Sequence, residues 1–271
     1  MNNLLESARS GRKIQDLRII DMHGHLGVFG YAIPDVGAAS IVAVMDRIGV
    51  ESVMVSHMQC MGSDVQRGND EIHAAMKAFP GRILGYISLY GGAGPQRVER
   101  EVQRCLSAGF TGLKIHNANG FAYTDPAYAP ALALADQHRL PVLFHTWGEE
   151  KEFAQIKELA MRYPNAAILL AHGGCRNEAG YAEMVQALRN VYLDIAFSAA
   201  PAGVVQRLVD SVSADRIIWG SDACFLNQAQ QVGRVMGASI SENDKRKILS
   251  TNALHVLSRI RDVPATKDVI T

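Results

Sequence analysis

A single (β/α)8 barrel is the fold class this sequence predicts, and three features predict it. Eight short, β-branched and nearly continuous apolar runs recur along the chain, as strands covered on both faces require. Helical patterns, with apolar residues three and four apart, separate them over about 250 residues, the usual span of such a barrel. The rival open sheet would carry a nucleotide turn, yet no GxGxxG follows a strand and no GxxxxGKS or GxxxxGKT occurs. GGAGP at 91–95 has the wrong spacing and no lysine, and reads as a plain loop.

Each element has its own signal. LRIIDMH at 17–23 is the first strand, IVAVMDRIG at 41–49 a helix stopping at Gly49, and ESVMVSH at 51–57 the second strand. NDEIHAAMKAF at 69–79 reads as a helix capped by Asn69, whose side chain can accept from the free N–H groups of a first turn. Pro80 then breaks to RILGYISLY at 82–90. PQRVEREVQRCLSAG at 95–109 opens on Pro95, where a missing N–H costs little, and closes at Gly109 before TGLKIHN at 111–117. Pro126 stands near the next helix start, and Pro141 enters LPVLFHTW at 140–147. FAQIKELAMRY at 153–163 and Pro164 lead to AAILLAHG at 166–173; NVYLDIAF at 190–197 and, past Pro201, DRIIWGSD at 215–222 complete the ring. One domain therefore spans 1–271, with 1–16 as an N-terminal extension and 259–271 as a polar tail expected to fray or pack loosely.

Composition narrows the function. Lysine plus arginine and aspartate plus glutamate number 27 each, so neither nucleic acid nor an anionic membrane finds a charge footprint. No apolar run approaches the roughly 18 residues of a membrane span, and the first residues lack a signal-peptide core. Cys60, Cys105, Cys175 and Cys224 form no CxxC pair, which speaks against a disulfide framework or zinc ribbon and for the reducing cytoplasm. A small-molecule substrate is expected, and self-association into a homo-oligomer is left open.

The histidines are the most informative residues. His73, His138 and His255 sit in helical patterns and read as surface or packing residues. His23, His25, His57, His116, His145 and His172 all fall at the downstream ends of strands, the face where barrel active sites are built. Residues two apart on a strand point the same way, so the HGH pair can aim together into the mouth. Asp222 ends strand eight beside them. With His145 this gives three nitrogens and one oxygen, a set suited to Zn²⁺ or a similar divalent ion.

In their order and strand positions, IIDMHGH, GLKIH, PVLFH, ILLAHGG, IIWGSD and STNALHVL resemble the amidohydrolase superfamily. The nearest branch is the amidohydrolase-related one that includes the aminocarboxymuconate-semialdehyde decarboxylases. The resemblance runs from about Ile19 to Leu257. It implies a metal held by His23, His25, His145 and Asp222, with His172 as base or proton shuttle beside metal-activated water. Asp222 would ligate and also receive a proton. It further implies that Asn252 is structural, and that Lys114, carboxylated in two-metal relatives, offers a second, bridged ion as a lesser option. The plainer reading of Lys114 pairs it with Asp21 or Asp194 inside the barrel.

Around this core, His116 and His57 are candidates to line the substrate pocket or orient a ligand, with a structural role equally open for His57. Arg176 is a candidate carboxylate clamp, and Trp147, Phe29, Tyr31 and Phe225 a candidate apolar wall. Cys175 and Cys224 read as inert thiols nearby. The expected activity is hydrolysis of a small amide or lactone by metal-activated water. The alternative is non-oxidative decarboxylation of a small unsaturated or aromatic acid. A non-catalytic barrel ranks below both, and a serine hydrolase lower still, since no GxSxG elbow follows a strand.

Overall fold

Ile19–Leu26 (β1) is buried at every position, and the seven strands after it join it in sequence order. They are Val50–His57 (β2), Ile83–Ser88 (β3), Gly112–Ile115 (β4), Pro141–Phe144 (β5), Ala167–Leu170 (β6), Val191–Asp194 (β7) and Ile217–Ile218 (β8). Every neighbouring pair is parallel. This is the predicted (β/α)8 barrel, here in a computed structural model that describes residues 3–14, 16–30, 32–197, 199 and 201–263. Closure is made at its shortest strand. Beyond Ile218 the β8 segment meets β1 through a bridge from Gly24 to Ala223 and through Met22 N–H donating to the Trp219 carbonyl.

The barrel interior is packed. Ile20, Met22, Met54, Tyr86, Leu143, Leu169 and Ile218 fill it, and the Tyr86 hydroxyl donates to the Met22 carbonyl at 2.9 Å. Outside the strands a second apolar layer meets the helices Leu4–Arg9 (α1), Ala38–Ile48 (α2), Val65–Ala78 (α3), Pro95–Ser107 (α4), Ala129–His138 (α5), Glu150–Arg162 (α6), Glu178–Ala187 (α7), Val204–Val212 (α8) and Gln228–Met236 (α9). Among the described residues no helix is long and apolar enough to cross a membrane.

Two expectations change. The α3 helix begins at Val65, so Asn69 lies inside it and caps nothing. Its amide instead zips to the end of β3, accepting from Ser88 N–H at 2.9 Å and donating to the Ser88 carbonyl at 3.2 Å, and also reaches Glu101. A strand end with free backbone groups satisfies a buried amide better than a helix start already past its first turn. The second change concerns the tail. Arg261 N–H donates to the His138 carbonyl, and Val263 is buried, so 259–263 pack against the barrel; 264–271 lie outside the described residues. The N-terminal extension also docks, since Leu4 is fully buried and its N–H meets Glu242.

Candidate metal centre

HGH lies within β1, where a register irregularity between Asp21 and Gly24 resets the alternation of Ile20 and Met22, so that His23 and His25, two residues apart, face inward and Gly24 outward. Only glycine fits between them: a Cβ on residue 24 would stand 2.9 Å from a Val53 methyl and 3.0 Å from one of Val55. Inside, His23 Nε2 and His25 Nε2 are 3.1 Å apart, and Asp222 Oδ1 lies 3.2 Å from the second and 3.7 Å from the first. These separations bracket the roughly 3.4 Å that two bonds of about 2.1 Å give at a tetrahedral angle. His23, His25 and Asp222 thus fit a divalent cation in both donor type and spacing.

Neighbouring strands hold the ligands' far sides. His23 Nδ1 meets the fully buried Asp194 carboxylate at the end of β7, 2.6 Å away, in a close polar contact that leaves Nε2 as the lone-pair nitrogen. His25 Nδ1 meets Ser56 Oγ of β2 at 3.0 Å. Burial pushes both imidazoles below the ordinary histidine range, strongly for His23, so they are neutral and ready to ligate. Burial alone would raise the Asp222 carboxyl, but its contact with His25 and the rings of His23 and His172 outweigh that and hold it ionised. Asp194, by contrast, is pushed up to about 7 by burial.

His145 stands one ring away from this trio. It follows the last residue of β5, stacks on His116 with centroids 3.8 Å apart, and turns Nδ1 to within 3.3 Å of His172 Nε2. The Tyr123 hydroxyl donates to its carbonyl. His172 donates from Nδ1 to the Ala196 carbonyl at 2.6 Å, which fixes its tautomer and leaves Nε2 as a base. His172 and Asp222 both leave their strands in the left-handed region, at φ +58°, a strained conformation for residues with side chains. His116 accepts the Ala118 N–H on Nδ1, and burial pushes its pKa down to about 2.

Other expected residues fall in different places. Trp147 stacks on His172 at 4.8 Å and 10°, and the exposed Arg176 guanidinium stands 5.1 Å over the Trp147 ring. This arrangement is clipped in place: buried Glu152 accepts from Trp147 N–H at 2.8 Å, and Asn177 donates to the Gly148 carbonyl. Phe225 packs near both His25 and Phe29, while Tyr31 lies outside the described residues. His57 is not gathered in. Its Nε2 faces Glu71 of α3 at 3.0 Å, and its Nδ1 accepts the Gln59 N–H. Lys114 is fully buried, but meets neither Asp21 nor Asp194 as an ion pair; its Nζ lies 3.3 Å from His23 Nε2. Asp21 is already filled by other donors and Asp194 is turned to His23. Asp194, Ser56 and Glu152 had no distinguishing sequence signal beyond a polar residue at or after a strand end.

A barrel with imidazoles and a carboxylate converging at the carboxyl ends of its strands is the architecture of metal-dependent barrel enzymes. The amidohydrolase family model matches residues 20–259, and the chain belongs to that family. No curated protein matches the sequence. Among solved structures, a dihydroxybenzoic acid decarboxylase from Polaromonas sp. JS666, with bound manganese and 2-nitroresorcinol, is similar at 18% identity and TM-score 0.73, covering 92% of this chain and 99% of that one. The 5-carboxyvanillate decarboxylase from Sphingomonas paucimobilis is similar at 16% identity and TM-score 0.70, covering 91% and 100%. A probable 2-pyrone-4,6-dicarboxylic acid hydrolase from Acinetobacter baumannii, with citric acid bound, is similar at 15% identity and TM-score 0.71, covering 89% and 100%. At these identities the likeness is one of fold.

Proposed function

We propose that this protein is a metal-dependent carboxy-lyase that removes CO₂ from a small aromatic or unsaturated carboxylic acid. The observation that carries the reading is the set of flat faces beside the donor cluster: Trp147 against His172, His116 against His145, and Arg176 over Trp147. Planar π surfaces suit a planar acid, and a guanidinium resting on an aromatic face keeps its edge free for a carboxylate. Decarboxylases of aromatic acids among the solved structures of like fold support the same reading.

His23, His25 and Asp222 would hold the ion, with His145 as the fourth ligand. His145 Nδ1 donating to His172 leaves His145 Nε2 with the lone pair that ligation needs. Zinc and manganese both suit these donors, and a second ion bridged by carboxylated Lys114 is the lesser alternative. When bound, the ion supplies a Lewis acid that draws electron density from a substrate oxygen. Arg176, resting on Trp147, binds and orients the carboxylic acid beside the stacked His116 and His145 rings. As the C–C bond breaks, its electron pair stays on the carbon that carried the carboxyl group, CO₂ leaves, and a proton must take its place. His172 takes that proton from solvent at Nε2 and passes it to the carbon; burial lowers its pKa, so the ring gives the proton up readily once it holds it.

Hydrolysis of a lactone or amide is the second reading. It is favoured by the unprotonated Nε2 of His172, which can take a proton from water, and by the hydrolase of like fold. The test is a panel of aromatic and unsaturated acids, lactones and amides given to the metal-loaded protein in deuterated water. CO₂ release with one deuterium on the product carbon is expected. Turnover of lactones or amides with the acids untouched would replace the lyase by the hydrolase.

A further inference from the structure

We infer that Asp21 is a positioning residue for the metal centre: it is the latch that sets the HGH pair and Asp222 in register across the seam where the last strand meets the first. The inference rests on His23, His25 and Asp222 being the ligands. β8 itself is only two residues long, and beyond it residues 219–223 continue along β1 on backbone bonds, Met22 and His25 N–H to the Trp219 and Ala223 carbonyls and Ser221 and Asp222 N–H to the His23 carbonyl, in the stretch where the three donors converge. Asp21 adds a side-chain tie to that ladder. Fully buried, it accepts from His23 N–H at 3.1 Å and Ser221 N–H at 2.9 Å on one oxygen. On the other it accepts from Ser221 Oγ at 2.5 Å and the Gln228 side chain at 2.7 Å. Residues 21 and 221 are 200 positions apart in the chain. One carboxylate thus binds the backbone of one ligand, His23, the neighbour of another, Ser221 beside Asp222, and the first residue of α9. Ser221 Oγ carries the latch on, accepting from Ala223 N–H at 3.0 Å, and so spans Asp222 on both sides.

Asparagine in place of Asp21 keeps the shape but offers one acceptor oxygen where four donors converge. Its NH₂ would face donors, so the register should loosen without any ligand being touched. Ser221→Ala removes one contact more gently. The experiment measures Co²⁺ affinity and the Co²⁺ absorption spectrum of the parent, Asp21→Asn and Ser221→Ala, with thermal unfolding of each metal-free protein alongside. Affinity lower by on the order of tenfold or more, the scale of lost support around a metal ligand, with an altered spectrum in a folded variant, is the expected result. Variants that unfold at lower temperature yet bind Co²⁺ as tightly as the parent, with an unchanged spectrum, would make Asp21 a fold residue only and overturn the inference. If Asp21→Asn does not fold, Ser221→Ala decides on the same two readouts. A parent that binds no Co²⁺ would instead remove the metal centre itself, and the latch with it.

Discussion

At the scale of single residues, the site separates groups that hold an ion from groups that handle protons. His23 and His25 are fixed on their far nitrogens by Asp194 and Ser56, so their Nε2 atoms can only point inward. His172 is fixed on Nδ1 by a backbone carbonyl, and its Nε2 meets a ring rather than the donor trio. Replacement should therefore separate the two roles. His172→Gln is expected to retain the bound metal and to lower kcat by about 10²-fold or more, the usual weight of a positioned acid–base group, with a smaller change in KM. His23→Ala is expected to lose the metal first and activity with it. Metal content by elemental analysis beside steady-state rates reads both, and loss of metal in the His172 variant would move that residue into the ligand set.

At the scale of elements, strand ends rather than strands make the site. β5, β6 and β7 each stop after four residues, and the chain turns at once into His145, His172 and the Asp194–Ala196 corner. That corner holds two functional rings, His23 through Asp194 and His172 through Ala196. Packing around it leaves no room at residue 220, where a Cβ would lie 2.5 Å from both Asp194 Oδ1 and His23 Cβ. Gly220→Ala is thus expected to cost about 1–3 kcal/mol, as overpacking does, and to weaken metal binding. Gly233→Ala, within α9 and with nothing inside 4 Å, is expected to be neutral or stabilising. Denaturant midpoints and metal titrations of the two variants check the contrast. This scale also marks how far the sequence could be read. Apolar runs fix the eight strands because burial on both faces leaves a local imprint, and HGH announces itself because alternation is local too. The partners Ser56, Asp194 and Asp21 left no such imprint: each is an ordinary polar residue until a neighbouring strand brings it a donor. Asn69 misled for the same reason, since the backbone it serves belongs to β3, 19 positions away.

At the scale of the whole molecule, the barrel gathers five neutral imidazoles in one dry mouth, and that concentration ties its stability to pH. His23, His25, His116, His145 and His172 are all depressed, first by burial, which for His25 and His172 outweighs the opposing pull of Asp222. A histidine with a folded pKa below its unfolded value near 6.5 binds fewer protons when folded, so its contribution is present above that pH and drains away as pH falls below it. Asp21 and Asp194, both raised to about 7 by burial, act the other way: their contribution is present below the unfolded carboxylate range and is lost as pH rises through 7. Five groups against two decide the sign. Metal-free protein should lose stability from pH 7.5 to 5.5, by more per pH unit than the about 1.4 kcal/mol that a single proton carries. A bound ion should steepen the fall, because it competes with protons for His23 and His25 and adds its own binding energy only where they stay neutral. Urea midpoints across that range, with and without Zn²⁺ or Mn²⁺, measure both slopes. A flat metal-free profile would mean that the imidazoles are not held neutral in the folded barrel, and parallel profiles would mean that the ion does not sit on them.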